Sequence, residues 1–293
     1  MRGGGDDKPR AGPHRPRRRG ADPTEEPEEL REGIAGAVEA GWQVLGRGGR
    51  ALDAVEAAVR ALEDHPRFNA GRGSVLTTAG TVEMDASIME GDTLGNGAVA
   101  CVSEVRNPIT LARRILDDGR YSFFVGAGAI EQARALGVPL CDPRELVTAR
   151  QRQRLEALQP GTVGAVAIDH FGTIVAGTST GGRAGQLPGR VGDSPLIGCG
   201  TYAESKLGGV SCTGDGEATI RVVLARRTIE ILRTVEDPEQ AAQLAISVLR
   251  EEGRGHGGLI LIDSQGRVAW AHSTPFMPVG LRSAGHDRAV LPF

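Results

Sequence analysis

The sequence predicts an α/β protein in which β-sheets lie between layers of helices. Helical patterns fill the first part of the chain, strand-like runs the middle, and helices return before a last hairpin. Glycine is unusually frequent, at 43 of 293 residues, yet aliphatic residues remain plentiful and no repeat is present. Such a chain is expected to form many tight turns and backbone-lined sites, rather than a collagen or a disordered polymer.

The first helix is predicted from Thr24, because Glu25, Glu26 and Glu28 follow it and carboxylates in a first turn complement the helix dipole. Further helices follow the 3.6-residue period, and strands follow alternation or short apolar runs between turn residues. A polar helix is expected to connect the two halves and to end at Pro160. The predicted helices are 24–46, 51–63, 108–117, 127–136, 144–158, 217–232 and 238–250, and the predicted strands are 74–78, 81–89, 97–105, 162–169, 173–180, 209–212, 258–262 and 267–271.

Charge and cysteine usage narrow the function classes. The 34 basic and 37 acidic residues give a net charge of −3, which predicts no nucleic-acid partner. Apolar stretches are far shorter than the ~20 residues of a membrane helix, which excludes membrane insertion. The four cysteines show no zinc-ligand spacing, and the N-terminus has no apolar signal region. We therefore expect a cytoplasmic protein with reduced thiols.

The first 23 residues differ from the rest of the chain. They are rich in arginine, proline and glycine and contain almost nothing apolar. A segment of this kind cannot bury enough surface to offset its ordering entropy, so 1–23 is predicted to be a disordered basic tail. It could bind an anionic surface or be only a solvated tail. The remaining residues, 24–293, are predicted to form one domain.

A predicted hairpin brings two hydroxyl residues together. If Asp169 pairs with Thr173 across a three-residue loop, antiparallel register places Thr162 opposite Thr180. Directly opposed residues have Cβ atoms ~4.5–5.5 Å apart. A polar strand end is one interpretation of this pair, and a nucleophile beside an orienting hydroxyl is the other.

Thr162 becomes a good nucleophile only if a base accepts its proton. Its own α-amine would be suitable, since a free α-amine has a pKa of ~7.7–8.0 against ~10.4 for lysine. That amine exists only if the bond between Gly161 and Thr162 is cut. Glycine leaves the bond unshielded, and the polar connector before it supplies slack. The sequence thus predicts a self-cleavage site at this bond.

A glycine-rich segment, Gly189-Arg190-Val191-Gly192-Asp193, carries complementary charges. The planar guanidinium of Arg190 matches a carboxylate, and Asp193 can accept hydrogen bonds from an ammonium group. Together they would hold the two charged groups of an amino acid. An internal salt bridge between Arg190 and Asp193 is the alternative.

The segment Thr213-Gly214-Asp215-Gly216 lies where a strand end opens into a helix. Outward-pointing N–H groups there could stabilise an oxyanion, and Thr213 and Gly214 are the candidate donors. Capping of the helix by Asp215 or Thr213 is a compatible alternative.

The run 177–181 fits the G-x-S-x-G pattern of serine hydrolases, which require a helix directly after it. The three glycines and the proline within 182–189 argue against such a helix. A serine-hydrolase site is therefore not expected here.

These segments together resemble the plant-type L-asparaginase / isoaspartyl peptidase family of N-terminal nucleophile hydrolases. The resemblance covers about residues 28–277. It is carried by Leu62-Glu-Asp-His-Pro-Arg-Phe-Asn-Ala-Gly-Arg-Gly-Ser-Val75, Glu83-Met-Asp-Ala-Ser-Ile-Met89, Arg106-Asn-Pro108, Gly161-Thr-Val-Gly-Ala-Val166, Thr178-Ser-Thr-Gly-Gly182, Gly189-Arg-Val-Gly-Asp-Ser-Pro195 and Thr213-Gly-Asp-Gly-Glu217.

The resemblance implies a four-layer αββα sandwich and a precursor that cuts itself into an α subunit, 1–161, and a β subunit, 162–293. It implies that Thr162 is the nucleophile, that Thr180 orients it and that Asn69 supports it. The implied substrate site comprises Arg190, Val191, Gly192, Asp193, Thr213, Gly214, Asp215 and Gly216, with Thr213 and Gly214 as the oxyanion hole.

The implied reaction is hydrolysis of asparagine or of isoaspartyl dipeptides, without a catalytic cofactor. The sequence does not decide between these substrates, because both present the same amino-acid head. A dimer of αβ units is implied as the assembly. A structural sodium ion is implied in the loop 62–73, held by the backbone carbonyls of Leu62, Glu63, His65, Phe68, Ala70 and Arg72.

The chain departs from the family at its N-terminus. Members usually begin with an apolar strand and a His-Gly-Gly-Ala-Gly-type loop near the active site, matched here only by Gly3-Gly4-Gly5 in the basic tail. We therefore expect an uncovered sheet edge near the nucleophile. A glycosylasparaginase-like amidase and a non-cleaving remnant that only binds amino acids or a partner are the alternative functions.

Overall fold

A computed structural model describes residues 27–154, 161–285 and 289–291. The predicted basic tail, 1–23, and residues 155–160 of the connector lie outside the described residues. The described helices are α1 (Pro27–Leu45), α2 (Ala51–Asp64), α3 (Pro108–Asp118), α4 (Gly126–Ala135), α5 (Pro143–Leu146), α6 (Ala149–Arg154), α7 (Gly216–Val222), α8 (Leu224–Val235) and α9 (Pro238–Glu251). The described strands are β1 (Met84–Glu90), β2 (Asn96–Val102), β3 (Phe123–Val125), β4 (Val163–Ile168), β5 (Ile174–Thr180), β6 (Thr201–Glu204), β7 (Gly208–Gly214), β8 (Gly257–Asp263) and β9 (Val268–His272).

The first sheet contains the predicted hairpin. Its strand order is β3-β2-β1-β5-β4, and β1 pairs antiparallel with both β2 and β5. Strands β4 and β5 pair from Val163 opposite Ser179 to Ile168 opposite Ile174. This register is the predicted one. Within the described residues β4 has one neighbour only, in line with the expectation of an uncovered edge.

The second sheet is antiparallel throughout, with the order β6-β7-β8-β9. Helices α2 and α3 pack on the first sheet, and α8 and α9 pack on the second. The sheets face each other mainly through β4 and β5 against β6 and β7. The layers therefore run helix, sheet, sheet, helix, as the resemblance implies.

Apolar residues fill both helix–sheet interfaces. On the first sheet, Leu52, Val55 and Val59 of α2 belong to one cluster with Val163 and Val175. On the second sheet, α8 and α9 bury their apolar faces on β7 and β8. Burial of apolar area, at roughly 25 cal/mol per Å², is the main force that holds these layers together.

The contact between the two sheets is partly polar, which the sequence did not indicate. Four buried hydroxyls meet there, those of Ser87, Thr178, Thr201 and Ser211. Thr201 donates to Thr178, Thr178 lies 2.7 Å from the Ser211 oxygen, and Ser87 donates to Thr201 at 2.8 Å. Since buried hydroxyls without partners are costly, this network fixes how the sheets face each other.

Some secondary-structure predictions were wrong. No strand forms over 74–78, because Thr77 turns the chain by bonding to Thr81 and the backbone of Leu76 and Thr78 bonds to a loop at 185–186. The connector helix is divided into α5 and α6 as far as it is described. Two short strands, β3 and β6, were missed because three or four residues carry too little periodicity.

The predicted helix 217–232 is interrupted. Val223 has φ of +51°, in the left-handed region that β-branched residues rarely adopt, and it separates α7 from α8. The first of these helices, α7, therefore points its N-terminal turn toward the end of β7, while α8 packs on the sheet.

In the described part of the chain, no helix combines the length and the apolar character that a bilayer crossing needs.

Candidate active site

The β4–β5 hairpin positions the two hydroxyl residues as the sequence predicted. Thr162 precedes β4 and Thr180 is the last residue of β5. The Thr162 hydroxyl donates a hydrogen bond to Oγ1 of Thr180 at 3.3 Å. The pair is partly buried, at the floor of a cleft.

The carbonyl of Gly161 is held by two donors. Nδ2 of Asn69 donates to it at 2.6 Å, and the hydroxyl of Thr180 donates at 2.9 Å. The Thr180 oxygen also accepts from the amide of Gly182 at 3.0 Å. A continuous chain of hydrogen bonds thus leads from the Thr162 hydroxyl through Thr180 to the carbonyl of the residue before Thr162.

Asn69 is itself fixed by hydrogen bonds on both sides of its amide. Its second N–H donates to the carbonyl of Gly182 at 2.7 Å, and its Oδ1 accepts from the amide of Val75 at 2.8 Å. All its strong hydrogen-bonding capacity toward the protein is therefore used, and its orientation is set. Asn69 reaches Gly161 across 92 positions of sequence.

The segment Gly189–Asp193, here called the recognition loop, is held by two carboxylates of the first sheet region. Glu83 accepts from the amide of Gly189 at 2.7 Å, and Asp85 accepts from the amide of Gly192 at 3.1 Å. Asp85 is opposite Thr180 in the sheet. The Glu83-Met84-Asp85 motif therefore joins the recognition loop to the strand that carries Thr180.

Asp85 is buried and also stabilises an irregularity in β2. Its Oδ1 accepts from the amide of Cys101 at 2.9 Å, and Cys101 has φ of +54° where the β1–β2 register shifts. Burial raises the pKa of Asp85 to about 6, although the hydrogen bonds from Cys101 and Gly192 and the charge of Arg190 act in the opposite direction.

Arg190 pairs with a residue outside the recognition loop. Its guanidinium contacts Oε1 of Glu217 at 2.9 Å and donates to Oε1 of Gln186 at 3.2 Å. The alternative of an Arg190–Asp193 salt bridge is therefore wrong for this structure. Burial acts to raise the pKa of Glu217, but its hydrogen bonds and the charges of Arg190 and Arg183 keep that pKa below the usual value.

Asp193 is the most unusual carboxylate of the site. It is 5% exposed, and its Oδ2 atom is buried with no hydrogen-bond partner among the described residues. Burial raises its pKa to about 7, against the lowering effects of its own backbone N–H and of Arg190. A buried carboxylate oxygen without a partner is costly, so a cationic or N–H ligand would stabilise this site.

Gly216 lies directly beside both charged residues. A Cβ atom at this position would be 2.8 Å from Nη2 of Arg190 and 2.9 Å from Oδ1 of Asp193. Glycine is therefore the residue that leaves room for their side chains and for a ligand between them.

The predicted oxyanion residues lie at the end of β7. Gly214 lines the cleft with φ of +130°, and Thr213, which precedes it, is half-buried. Asp215 occupies the N-cap position of α7, but its side chain makes no capping hydrogen bond there. Its Oδ2 instead accepts from the amide of His256 at 3.0 Å.

These groups surround one narrow cleft that is open to solvent. Val191 does not line the cleft, and Asn69 reaches it through its bond to Gly161. The lining residues are Gly161, Thr162, Thr180, Gly182, Arg183, Arg190, Gly192, Asp193, Gly214, Asp215, Gly216 and Glu217.

Sequence reasoning missed Glu63 as a side chain behind the hairpin. Glu63 is fully buried, and its Oε1 accepts from the hydroxyl of Ser179 at 2.6 Å and from the amide of Ile109 at 3.0 Å. Burial raises its pKa to about 8 despite these hydrogen bonds. Its carboxyl is therefore mostly protonated at neutral pH. The sequence analysis included Glu63 in the motif Leu62–Val75. It could not identify Ser179 as its partner, because no local pattern indicates a contact across 116 positions.

The loop proposed to hold sodium is backbone-lined. A Cβ at Gly73 would overlap the carbonyl oxygen of Phe68, and one at Gly71 would overlap that of Glu63. Two carbonyls thus face the interior of the loop at positions where only glycine fits. Carbonyl oxygens suit a hard cation, so the residues present are compatible with one. The described residues contain no cluster of histidine, cysteine, aspartate or glutamate that could hold a metal ion.

Comparison with known proteins identifies the family of this chain. Residues 17–160 and 156–291 match the asparaginase family model. The isoaspartyl peptidase/L-asparaginase of Homo sapiens is 44% identical over 264 residues, which cover 86% of each chain. That of Bos taurus is 43% identical over 279 residues, or 91% of each chain. The plant-type L-asparaginase of Pyrococcus abyssi is 43% identical over 277 residues, covering 87% of this chain and 90% of the relative. With its four layers, its paired threonines and similarity over nearly its whole length, this chain belongs to the asparaginase family.

Proposed function

We propose that this chain is a threonine amidohydrolase that cuts itself between Gly161 and Thr162 and then hydrolyses L-asparagine and isoaspartyl dipeptides. The names of its relatives support the substrate class. The observation that carries the proposal is the hydrogen-bond chain from the Thr162 hydroxyl through Thr180 to the Gly161 carbonyl.

Self-cleavage follows from this chain of bonds. Oγ1 of Thr162 attacks the Gly161 carbonyl carbon, and its proton passes to Thr180, which gives its own proton to the carbonyl oxygen. Asn69 stabilises the same oxygen with its N–H. As the C=O bond re-forms, the proton on this oxygen passes to the nitrogen, the C–N bond breaks, and the nitrogen leaves as the free α-amine of Thr162. Water then hydrolyses the remaining ester and releases the carboxylate of Gly161. Among the described residues, Thr162 makes no hydrogen bond to a carboxylate or imidazole, so the relay supplies the proton path.

The mature site would use the new amine as its base. With a pKa of ~7.7–8.0, the amine is partly neutral near pH 7 and can accept the Thr162 proton. The hydroxyl attacks the substrate's side-chain carbonyl, and ammonia or an amino acid leaves. Water then releases aspartate. Thr180 orients the nucleophile, and Thr213 and Gly214 are proposed as the oxyanion donors.

Recognition would depend on Arg190 and Asp193. The unpartnered Oδ2 of Asp193 would accept from the substrate ammonium, which favours the ionised form of this carboxyl. Arg190 would exchange its exposed partner, Glu217, for the substrate carboxylate. Gly192, Asp215 and Gly216, which line the cleft, would shape the surrounding wall.

The cut parts, 1–161 and 162–293, are expected to stay together as an αβ unit, because β1 of the first pairs with β5 of the second over six residues. Pairing of two such units, and a sodium ion in the 62–73 loop with a structural role, belong to the same proposal.

Gel electrophoresis and mass spectrometry test the proposal directly. The mass of 30.7 kDa for 293 residues corresponds to about 105 Da per residue, so processing yields fragments of about 17 and 14 kDa, and the smaller begins with Thr162. Thr162→Ala should remain intact and inactive, whereas Thr162→Ser should still be cut. An uncut wild-type chain without asparaginase activity would support the non-cleaving alternative, and cutting of Thr162→Ala at this bond would contradict the mechanism.

A further inference from the structure

Two arginines, Arg190 and Arg183, line the cleft, and their guanidinium groups differ in their bonding partners. Arg190 is engaged by Glu217 and Gln186. Arg183 lines the same cleft and is exposed, and within the described residues its guanidinium makes no hydrogen bond or ion pair. A ligand that fills this cleft would therefore meet Arg190, which is already paired with Glu217, and Arg183, which can still bind an anionic group.

The backbone of Arg183 is fixed although its side chain is not. Its amide donates to Oε1 of Gln186 at 2.9 Å, the same buried oxygen that accepts from Arg190. Gly182 precedes it with φ of +78°, and the Gly182 carbonyl accepts from Asn69. Arg183 is thus tied to the residues around Thr162 and Thr180, three positions after Thr180.

The two proposed substrates differ in their number of carboxylates. Asparagine has one, which the proposed function assigns to Arg190, while Asp193 takes the ammonium. An isoaspartyl dipeptide has a second carboxylate, on the amino acid that leaves. The charge of Arg183 acts on Glu217, but among the described residues its guanidinium has no hydrogen-bonded partner. A second guanidinium of this kind suits the additional carboxylate, because the head group of the substrate is already complemented.

Building on the proposed function, we infer that Arg183 binds the carboxylate of the leaving amino acid and so favours isoaspartyl dipeptides with a free C-terminus over asparagine. The side chain is exposed and long, so it can follow leaving residues of different size. The effect is expected to be moderate and screened by salt, because the pair forms at the mouth of the cleft.

The test compares two substrates that differ only in that carboxylate, β-aspartyl-alanine and its C-terminal amide. We expect the wild-type enzyme to have a kcat/KM about tenfold higher for the acid, and the ratio to fall toward one in Arg183→Met. Arg183→Lys should retain part of the preference. Raising the salt concentration should reduce the wild-type ratio and leave that of Arg183→Met unchanged.

Arg60→Met is the matched control, since Arg60 is an exposed arginine on α2 that does not line the cleft. It should keep the wild-type ratio. If Arg183→Met is processed and active but keeps the wild-type ratio of kcat/KM between the acid and the amide, this inference is overturned and the proposed function stands. The same result is expected if Arg183 pairs instead with the Gly161 carboxylate that cleavage releases, so that case also counts against the inference. An uncut and inactive wild-type chain would instead overturn the proposed function, and this inference with it.

Discussion

The nucleophile hairpin, β4–β5, and the recognition loop face the same cleft but are positioned by different means. The hairpin owes its geometry to regular antiparallel pairing between neighbours in sequence. The recognition loop has no strand of its own, and it is held by Glu83 and Asp85 from more than 100 positions away. The difference teaches that the paired threonines of this site are placed by local register, whereas its recognition loop depends on carboxylates that are distant in sequence.

Replacing Thr180 tests the role of the hairpin and should have the largest expected effect, on the rate of self-cleavage. Thr180→Val removes the proton relay and one donor to the Gly161 carbonyl while conserving shape. Self-cleavage should slow by about 10²-fold or more, by analogy with the loss of one oxyanion donor. A time course of fragment formation measures it.

The same substitution two residues earlier, Thr178→Val, is the control. Thr178 belongs to the hydroxyl network between the sheets, so the variant should be less stable but still cut itself. Thr180→Val processed at the wild-type rate would show that the relay is not used.

Replacing Asp85 tests whether substrate binding depends on the carboxylate that holds the recognition loop. In Asp85→Asn, one of the two amides that now bond to the carboxylate, those of Cys101 and Gly192, must face an NH₂ group. We expect KM to rise about tenfold, because an unsatisfied buried group costs about 1–3 kcal/mol and loosens the recognition loop. Processing should be nearly unchanged. Steady-state kinetics and the fragment time course separate the two effects.

Asp263→Asn is a suitable comparison, since Asp263 is another buried aspartate that accepts backbone amides, in the β8–β9 turn. It should lower stability without raising KM. Equal KM in Asp85→Asn and the wild type would contradict the role of Asp85.

Replacing Glu63 should have the smallest effect on processing and catalysis, and its main consequence should be on the pH dependence of stability. The pKa of Glu63 is raised from 4.5 to about 8, so between these values the folded chain binds more protons than the unfolded chain. The free energy of unfolding therefore falls as pH rises through this window. Glu63→Gln should flatten that part of the profile, as measured by urea denaturation from pH 5 to 8.

The exposed Glu131 provides the control, and Glu131→Gln should keep the wild-type slope. A Glu63→Gln profile parallel to that of the wild type would show that the carboxyl behind Ser179 does not titrate in this range.

Several elements could be predicted because their signals are local. The hairpin register needed only two apolar runs and a glycine turn, and it placed Thr162 beside Thr180. Helices α2, α3 and α9 were predicted within one residue at each end, since their apolar period and their flanking prolines lie in the sequence itself. Helix 217–232 was predicted unbroken because no glycine or proline marks Val223, whose left-handed conformation separates α7 from α8.

The partners of the charged residues were beyond local patterns. Arg190 and Asp193 were correctly singled out, but their pairing was not, because Glu217 and Gln186 approach Arg190 only in the folded chain. Arg183, Glu83, Asp85 and the side chain of Glu63 were missed as parts of the site for the same reason.

The sequence alone determined which residues can react and which strands carry them, since side-chain chemistry and strand register depend on residue type and short spacing. The tertiary structure decided which carboxylates hold the recognition loop, which carbonyl Asn69 approaches and which arginine of the cleft is bound by a carboxylate. These outcomes depend on which groups meet across two sheets and lose their water, and hydrogen bonding and burial over such distances are properties of packing.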